Sequence, residues 1–235
     1  MESPDYIISL LEKDIPANIS FINFIKNNGS TFLKNVEEGI VGKGISDHEW
    51  VYLYCPNRDN LEKLLVFCKN DLYFAVIENW MLPLITAGRK IDWQLTTRRY
   101  ILPETAIIDQ SEKLMPLKTS DTEWIYEKSK YKDFLSVDYI KDRIQKGLSK
   151  GIRINSKLVA WVMTQDDGAI GFLTVLPEYQ KRGLALKLMN SIIDEIRNNN
   201  NTPFAYVEDN NDKAVNLCLK MGFQKDRLIH WIKLL

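Results

Sequence analysis

Apolar side chains recur at steps of three and four over residues 5–28, with Tyr6, Ile7, Leu10 and Leu11 followed by Ile19, Phe21, Ile22, Phe24 and Ile25. That period predicts amphipathic helix, with Pro16 marking a break and Asn27 to Ser30 ending the pattern. Over 31–48 the period is lost, and Gly39, Gly42 and Gly44 suggest loop. Trp50 to Cys55 then reads as a strand closed by Pro56. Asn60 is placed to cap a helix from Leu61 to Cys68. Leu72 to Ile77 reads as another strand, and Ile91–Tyr100 and Ala106–Ile108 as further edges. This first half is mixed α/β and carries no catalytic signature.

The crossing into the second half is expected at Leu114 to Leu117. Trp124, Ile125, Tyr126 and Tyr131 suggest a helix, and Ser136 is a good cap for a second one from Tyr139 to Lys146, stopped by Gly147. Gly151–Ile154 and Lys157–Met163 read as strands joined by Asn155 and Ser156, and a polar turn from Gln165 to Gly168 leads into an apolar strand ending at Val175. The strands flanking that turn should form a hairpin. Leu184, Leu188, Ile192, Ile193 and Ile196 then mark a long helix, followed by the strand Phe204–Glu208, the helix Ala214–Lys220, and final strands at Phe223 and Leu228–Leu235. No internal repeat or low-complexity tract is evident beyond the asparagines at 198–201. Strand–helix alternation with a central hairpin predicts a mixed sheet flanked by helices. The expected domains are 1–114 and 115–235.

Composition narrows the function classes. With 45% hydrophobic residues the chain can bury a core, and its 31 basic residues balance 31 acidic ones. No global positive field exists to hold nucleic acid. No apolar stretch reaches the length of a membrane span, and the acidic first five residues lack the apolar core of a secretory signal. Cys55, Cys68 and Cys218 show no paired spacing, which points to a reducing, cytoplasmic setting without disulfides. With His48 and His230 the only histidines, a histidine-rich metal site is excluded, and no motif supports Ser–His or Cys–His catalysis.

The chemistry concentrates between Val175 and Ala185 (VLPEYQKRGLA). Pro177 cannot donate to a ladder, so the strand stops there. Gly183 lets a ligand approach the backbone, and the first turn of the helix behind it offers unpaired N–H groups to phosphate oxygens. Lys181 and Arg182 add mobile positive charge. A pyrophosphate fits this arrangement.

Gln180 to Ala185 resembles the Q/R-x-x-G-x-G/A signature of the GNAT acetyltransferase superfamily, with Val175 and Pro177 at the family's V-x-P. Asn211, Ala214, Gly222 and Phe223 supply a second match near the C-terminus. The resemblance covers roughly 115–235 and implies the fold class α/β (α+β), a GNAT-like mixed sheet flanked by helices. The first half would be a smaller companion lobe, a partial GNAT-like repeat that frames the acceptor. The co-substrate implied is acetyl-CoA, with no metal. Its pantetheine amides would pair with the strand edge Leu173, Thr174 and Val175. Its pyrophosphate would meet Gln180, Lys181, Arg182, Gly183, Leu184 and Ala185, with Asn211 as a further contact or a plain helix cap.

The resemblance also frames the catalytic candidates. The N–H of Val175 would donate to the thioester oxygen. The family's general-acid Tyr, four residues before the conserved-pattern Gly, is replaced here by Cys218, a thiol acid or simply a small buried residue. Bases are sought in Glu208, Asp166 and Asp167, or in a water chain to a distant carboxylate; each of the three also reads as a turn or cap residue. Leu158–Trp161, the Asp-Gly turn and Leu176–Tyr179 look like the glycine N-acyltransferase branch, but Ala169 stands where that branch has its proposed basic Glu. Trp50, Trp80 and Trp93 are candidates for lining an acceptor pocket, or are core aromatics.

The function so implied is N-acetyl transfer from acetyl-CoA to a primary amine of a small molecule or peptide, by direct attack in a ternary complex. The alternative is a catalytically weak or inactive coenzyme A-binding regulatory module. A third reading has a longer acyl donor, or an amino-acid acceptor on a carrier or transfer RNA. The expected partners are acyl-CoA and an amine, with no nucleic acid or membrane, in a monomer or homodimer.

Overall fold

The computed structural model describes residues 2–109, 113–132 and 135–235. They divide into two units, one made of Met1–Arg99, Val207–Asn210 and Lys225–Leu235, the other of Tyr100–Tyr206 and Asn211–Gln224.

The first unit opens with two helices, α1 (Pro4–Leu11) and α2 (Ile15–Asn28), each capped by an acceptor side chain: Ser3 takes the N–H of Tyr6 and Asp14 that of Ala17. The break between them falls at Glu12–Asp14, ahead of its expected place. Pro16 instead sits in the first turn of α2, where its missing N–H leaves no bond unmade. Strands β1 (Phe32–Val36), β2 (Gly39–Ile45) and β3 (Glu49–Tyr54) form an antiparallel meander. Helix α3 (Arg58–Leu65) returns the chain to β4 (Tyr73–Glu78), parallel to β3. After the short α4 (Leu82–Ile85) comes β5 (Ile91–Ile101), and the C-terminal β10 (Gln224–Leu234) pairs antiparallel with β4. The order is β1-β2-β3-β4-β10-β5.

Three expectations for these residues are corrected. The glycine-rich segment is strand, not loop: a Cβ on Gly42 would stand 2.5 Å from the Phe21 ring and one on Gly44 2.7 Å from the Phe24 ring. The glycines are there so that α2 can lay its aromatic rings directly on β2. The cap of α3 is Asn57, which takes the N–H of Asn60 at 2.9 Å; Asn60 is itself buried in the first turn. The chain end is one strand rather than two.

In the second unit, α5 (Thr122–Lys128) and α6 (Val137–Lys146) come first, with Ser136 capping α6 as expected. Strands β6 (Ser149–Ile154), β7 (Lys157–Thr164) and β8 (Ile170–Val175) follow as an antiparallel meander. Its first turn is made by Asn155 and Ser156, both at positive φ, the conformation of a tight hairpin. Helix α7 (Leu184–Asn198) leads to β9 (Phe204–Val207), parallel to β8, and α8 (Asp212–Lys220) follows. The order is β6-β7-β8-β9. Strand β7 is buried along its whole length after Lys157, and Trp161 and Val159 anchor the core with Ile125 and Ile140. Residues 106–108, expected to be an edge strand, form none.

Each unit thus carries the same sequence of elements: two helices, a three-stranded meander, a helix and a parallel strand. No repeat was visible in the sequence because the two copies share topology, not residues. The repeat is nonetheless present, and the mixed α/β sheet with flanking helices is as expected.

Candidate functional site

The junction from β8 to α7 is built by three local features. First, β8 pairs with β9 only at Ile170↔Ala205, while it stays laddered to β7 as far as Ala160↔Val175. The edge of Leu173, Thr174 and Val175 away from β7 is therefore open. The N–H of Leu176 donates to Val159 O, so strand alternation turns the N–H of Val175 to the open edge. Second, β8 carries a bulge: Phe172 has φ 56°, and the register slips between Trp161 and Met163. A bulge re-aims the residues after it and increases local twist. Third, α7 starts without a side-chain cap behind Gly183, whose φ is 75°. A Cβ at Gly183 would meet nothing within 4 Å. The first-turn amides of α7 have no capping side chain in front of them, which is the arrangement that takes anions.

The loop side chains divide into two sets. Gln180 turns inward and donates through Nε2 to Val175 O at 3.1 Å. Arg182 folds back on its own loop, donating to Glu178 O at 3.0 Å over the Tyr179 ring. Lys181, at φ 60°, is exposed and makes no hydrogen bond or ion pair among the described residues. Leu184 and Ala185 are half-buried at the helix start. Asn211 caps α8 by accepting from Ala214 N at 3.4 Å, which leaves its amide NH2 as a donor. These residues fit a diphosphate and an extended amide chain: a strand edge unpaired with β9 beyond Ile170, its Val175 carbonyl held by Gln180, helix amides without a side-chain cap and an exposed lysine.

The catalytic candidates stand apart in character. Cys218 is buried on α8, and burial pushes its thiol up to about 11. Asp167 is 1% exposed, not a solvated turn residue. Its carboxylate accepts from Ala169 N at 3.1 Å and from the Tyr206 hydroxyl in a short bond, tying the β7–β8 turn to β9. Asp166 accepts from the Tyr139 hydroxyl at 3.2 Å. Ala169 is fully buried behind them. Glu208 belongs to the first unit, beside Asp209 and Thr96. Trp50 is a core residue there, in edge contact with Trp93, while Trp80 is exposed. Sequence reasoning missed the bulge at Phe172, because an aromatic residue gives no sign of a left-handed backbone, and it missed the Tyr206–Asp167 bond, which joins residues 39 apart.

The residues 147–232 match the family model described as FR47-like protein. A Drosophila protein is similar at 17% identity with a TM-score of 0.81, over 100% of this chain and 97% of its own. A GCN5-related N-acetyltransferase-like protein from Streptococcus suis is similar at 13% identity and TM-score 0.57, covering 99% and 98%. The chain has the GNAT acetyltransferase fold. A tandem GNAT protein from the clavulanic acid biosynthesis pathway also matches, at 10% identity and TM-score 0.53, over 92% of this chain and 87% of that one. No curated protein sequence matches the chain. Among the described residues, no three or more His, Cys, Asp or Glu side chains are placed to hold a metal ion, and no helix is long and apolar enough to cross a membrane.

The GNAT repeat in the first unit is closed where the second is open. Tyr54, Cys55 and Pro56 stand at the end of β3 as Val175, Leu176 and Pro177 do at the end of β8. There α3 begins immediately and the Asn57 side chain caps it, standing in front of the first-turn amides where a phosphate would go. Strands β3 and β4 also part, after Val51↔Phe74. That opening is filled by Tyr52, Tyr54, Glu78, Arg99 and Arg227, leaving about 20 Å³, room for little more than a water molecule. Calorimetric titration with coenzyme A is therefore expected to give one site per chain. Two equivalent sites would show that the first unit opens.

Proposed function

We propose that the protein is an N-acetyltransferase that moves an acetyl group from acetyl-CoA to a primary amine of a small molecule or peptide, by direct attack in a ternary complex. The observation that carries this reading is the uncapped start of α7 behind left-handed Gly183, next to the open edge of β8. The bare amides of Gly183, Leu184 and Ala185 hold the pyrophosphate, with Lys181 adding charge. The open edge of Leu173–Val175 pairs with the pantetheine amides as a strand would. The N–H of Val175 polarises the thioester carbonyl, which is the chemistry the coenzyme brings to the site. Asn211 adds a side-chain donor.

Among the remaining candidates, Asp167 is assigned to holding the turn. Burial keeps the Cys218 thiol neutral but away from solvent, so departure of the thiolate is left to its own stability. Three free cysteines are in keeping with action in the cytoplasm. The enzyme is expected to work as a monomer or homodimer. The buried Cys218 and Ala169 favour one second reading, a coenzyme A-binding module without turnover.

Thiol release from acetyl-CoA across a panel of primary amines separates the two. Release that depends on the amine supports the enzyme. Coenzyme A binding with no release from any amine would establish the module, and no binding would remove both.

A further inference from the structure

One carbonyl of the acyl-CoA site is already occupied by the protein itself. The N–H of Leu176 donates to Val159 O, so strand alternation points the N–H and the carbonyl of Val175 together away from β7. Strand β9 has left β8 well before this point, after Ile170↔Ala205. The donor that meets the Val175 carbonyl is Gln180, whose Nε2 lies 3.1 Å from it. The turn Pro177–Tyr179 makes this possible. It folds the chain back, with Tyr179 N on Leu176 O at 2.9 Å and Gln180 N on Pro177 O at 3.3 Å, and so delivers the glutamine to the strand it has just left.

The contact is suited to exchange. Gln180 is exposed, as are Lys181, Arg182 and Gly183 after it, so packing does not hold its side chain over the strand. The turn itself is closed by main-chain bonds and does not depend on the glutamine amide. What that amide does for the free protein is fill an acceptor on a strand edge, which otherwise stands ready to pair with any extended chain. An amide N–H of pantetheine is the same kind of donor, carried on an arm that pairs with an edge as a strand would. The arm must run from a diphosphate at Gly183–Ala185 to the edge at Val175, which is the path that the Gln180 side chain spans. Glutamine and arm therefore compete for one carbonyl. All of these residues lie within the second unit.

We propose that Gln180 is a placeholder for the pantetheine arm: in the free protein its amide occupies Val175 O, and coenzyme A displaces it by setting an amide N–H of the arm on the same carbonyl. The inference deepens the acyl-CoA reading of this site and rests on it. It also moves Gln180, which the resemblance places among the pyrophosphate contacts, to the strand edge. The exchange leaves the Val175 carbonyl with a donor throughout, and the freed Nε2 turns to water. The Val175 N–H, on the same edge, is left to the thioester oxygen. A nucleotide without the arm can lie on the loop amides but cannot make the exchange, so the device responds to the arm and not to the phosphates.

The test compares coenzyme A with 3′-phospho-ADP, its nucleotide portion with the diphosphate and without the arm, by calorimetry on the full chain and on Gln180→Met. Methionine has the length of glutamine and no donor, and the position is exposed, so the fold is retained. Water then sits on Val175 O in the free variant and leaves without the loss of a protein bond. Coenzyme A should bind the variant about three- to tenfold more tightly, the worth of one net hydrogen bond, while the affinity for 3′-phospho-ADP stays at the wild-type value. Equal weakening of both ligands would make Gln180 a phosphate ligand and overturn the proposal; unchanged affinity for both would overturn it as well. Crystal structures of the two wild-type complexes give a second reading. With coenzyme A, an amide nitrogen of the arm should have replaced Gln180 on Val175 O; with 3′-phospho-ADP, the glutamine should keep its bond. A glutamine still on Val175 O beside bound coenzyme A would overturn the exchange. None of these measurements needs turnover, so they apply equally to an enzyme and to a binding module. If the wild type binds neither ligand, the acyl-CoA reading fails and takes the placeholder with it. If it binds both and the variant shows no gain, that reading stands and only the placeholder falls.

Discussion

Gly183→Asp is expected to abolish measurable coenzyme A binding while the protein stays folded. The two halves of that expectation come from different observations. Gly183 sits at φ 75°, where an L-residue is disfavoured by about 1–2 kcal/mol, and Asp is among those that tolerate it best. A Cβ there meets nothing within 4 Å, so no packing is lost. The helix start also lacks a side-chain cap, and a carboxylate beside the positive end of α7 is stabilising by roughly 0.3–1 kcal/mol. Local strain is thus partly offset. For the ligand the same carboxylate is unfavourable on two counts: it occupies the amides meant for phosphate, and it repels the diphosphate. Like charges about 4 Å apart near a protein surface repel by about 4 kcal/mol, on the order of a thousandfold in affinity. Gly183→Ala separates the effects, since it brings the strain without the charge and should weaken binding far less. Calorimetry with coenzyme A reads both variants. An unchanged dissociation constant in Gly183→Asp would mean that the phosphate lies elsewhere.

That loop was legible in the sequence because everything it needs is contiguous. Pro177 ends a strand, Gly183 permits a left-handed turn, and the apolar spacing from Leu184 announces the helix. Other features needed information that a local pattern does not contain. Gly42 and Gly44 looked like loop residues, yet they are strand positions emptied of side chains so that Phe21 and Phe24 can pack there. The relevant signal lies twenty residues upstream, on another element. Asn57 and Asn60 are equally good caps on composition, and only the turn after Pro56 makes Asn57 the one that caps. Phe172 in the β8 bulge, and Val76 where β4 slips in register against β10, are bulky and unsuited to positive φ, so the backbone there is set by the tertiary fold against local preference. His230 is the extreme case. Its partners come from residues 79, 94 and 96, more than 130 positions away, and no spacing rule connects them. A contiguous loop is therefore readable, whereas a polar cluster assembled from separate strands is not.

The same distinction governs the largest expected loss of stability, that of Arg99→Met. Nothing marks Arg99 in the sequence, where it follows Arg98 in a charged run. Its neighbour faces solvent and Asp209, but Arg99 is completely buried. Its guanidinium donates to Asp226 at 2.7 Å, to Pro16 O at 2.5 Å and to Ala17 O at 3.2 Å. One side chain thereby ties the start of α2 to β5 and β10. Removing one member of a buried ion pair costs about 3–5 kcal/mol, because the partner is left without its counter-charge. Asp226 softens this, being 21% exposed and also paired with Arg227 at 3.1 Å. The two carbonyls keep their bonds within α2, so each loses only a second donor, about 0.5–1.5 kcal/mol. Against a total stability of about 5–15 kcal/mol, the substitution should move the denaturation midpoint drastically or unfold the first unit. The double change Arg99→Met with Asp226→Leu removes both charges and should recover only part of the loss, since Pro16 and Ala17 still lose the guanidinium's bonds to their carbonyls. Urea titration followed by tryptophan fluorescence measures both. If Arg99→Met costs under about 1 kcal/mol, or the double change restores full stability, the anchoring of α2 by this guanidinium is not what holds the unit together.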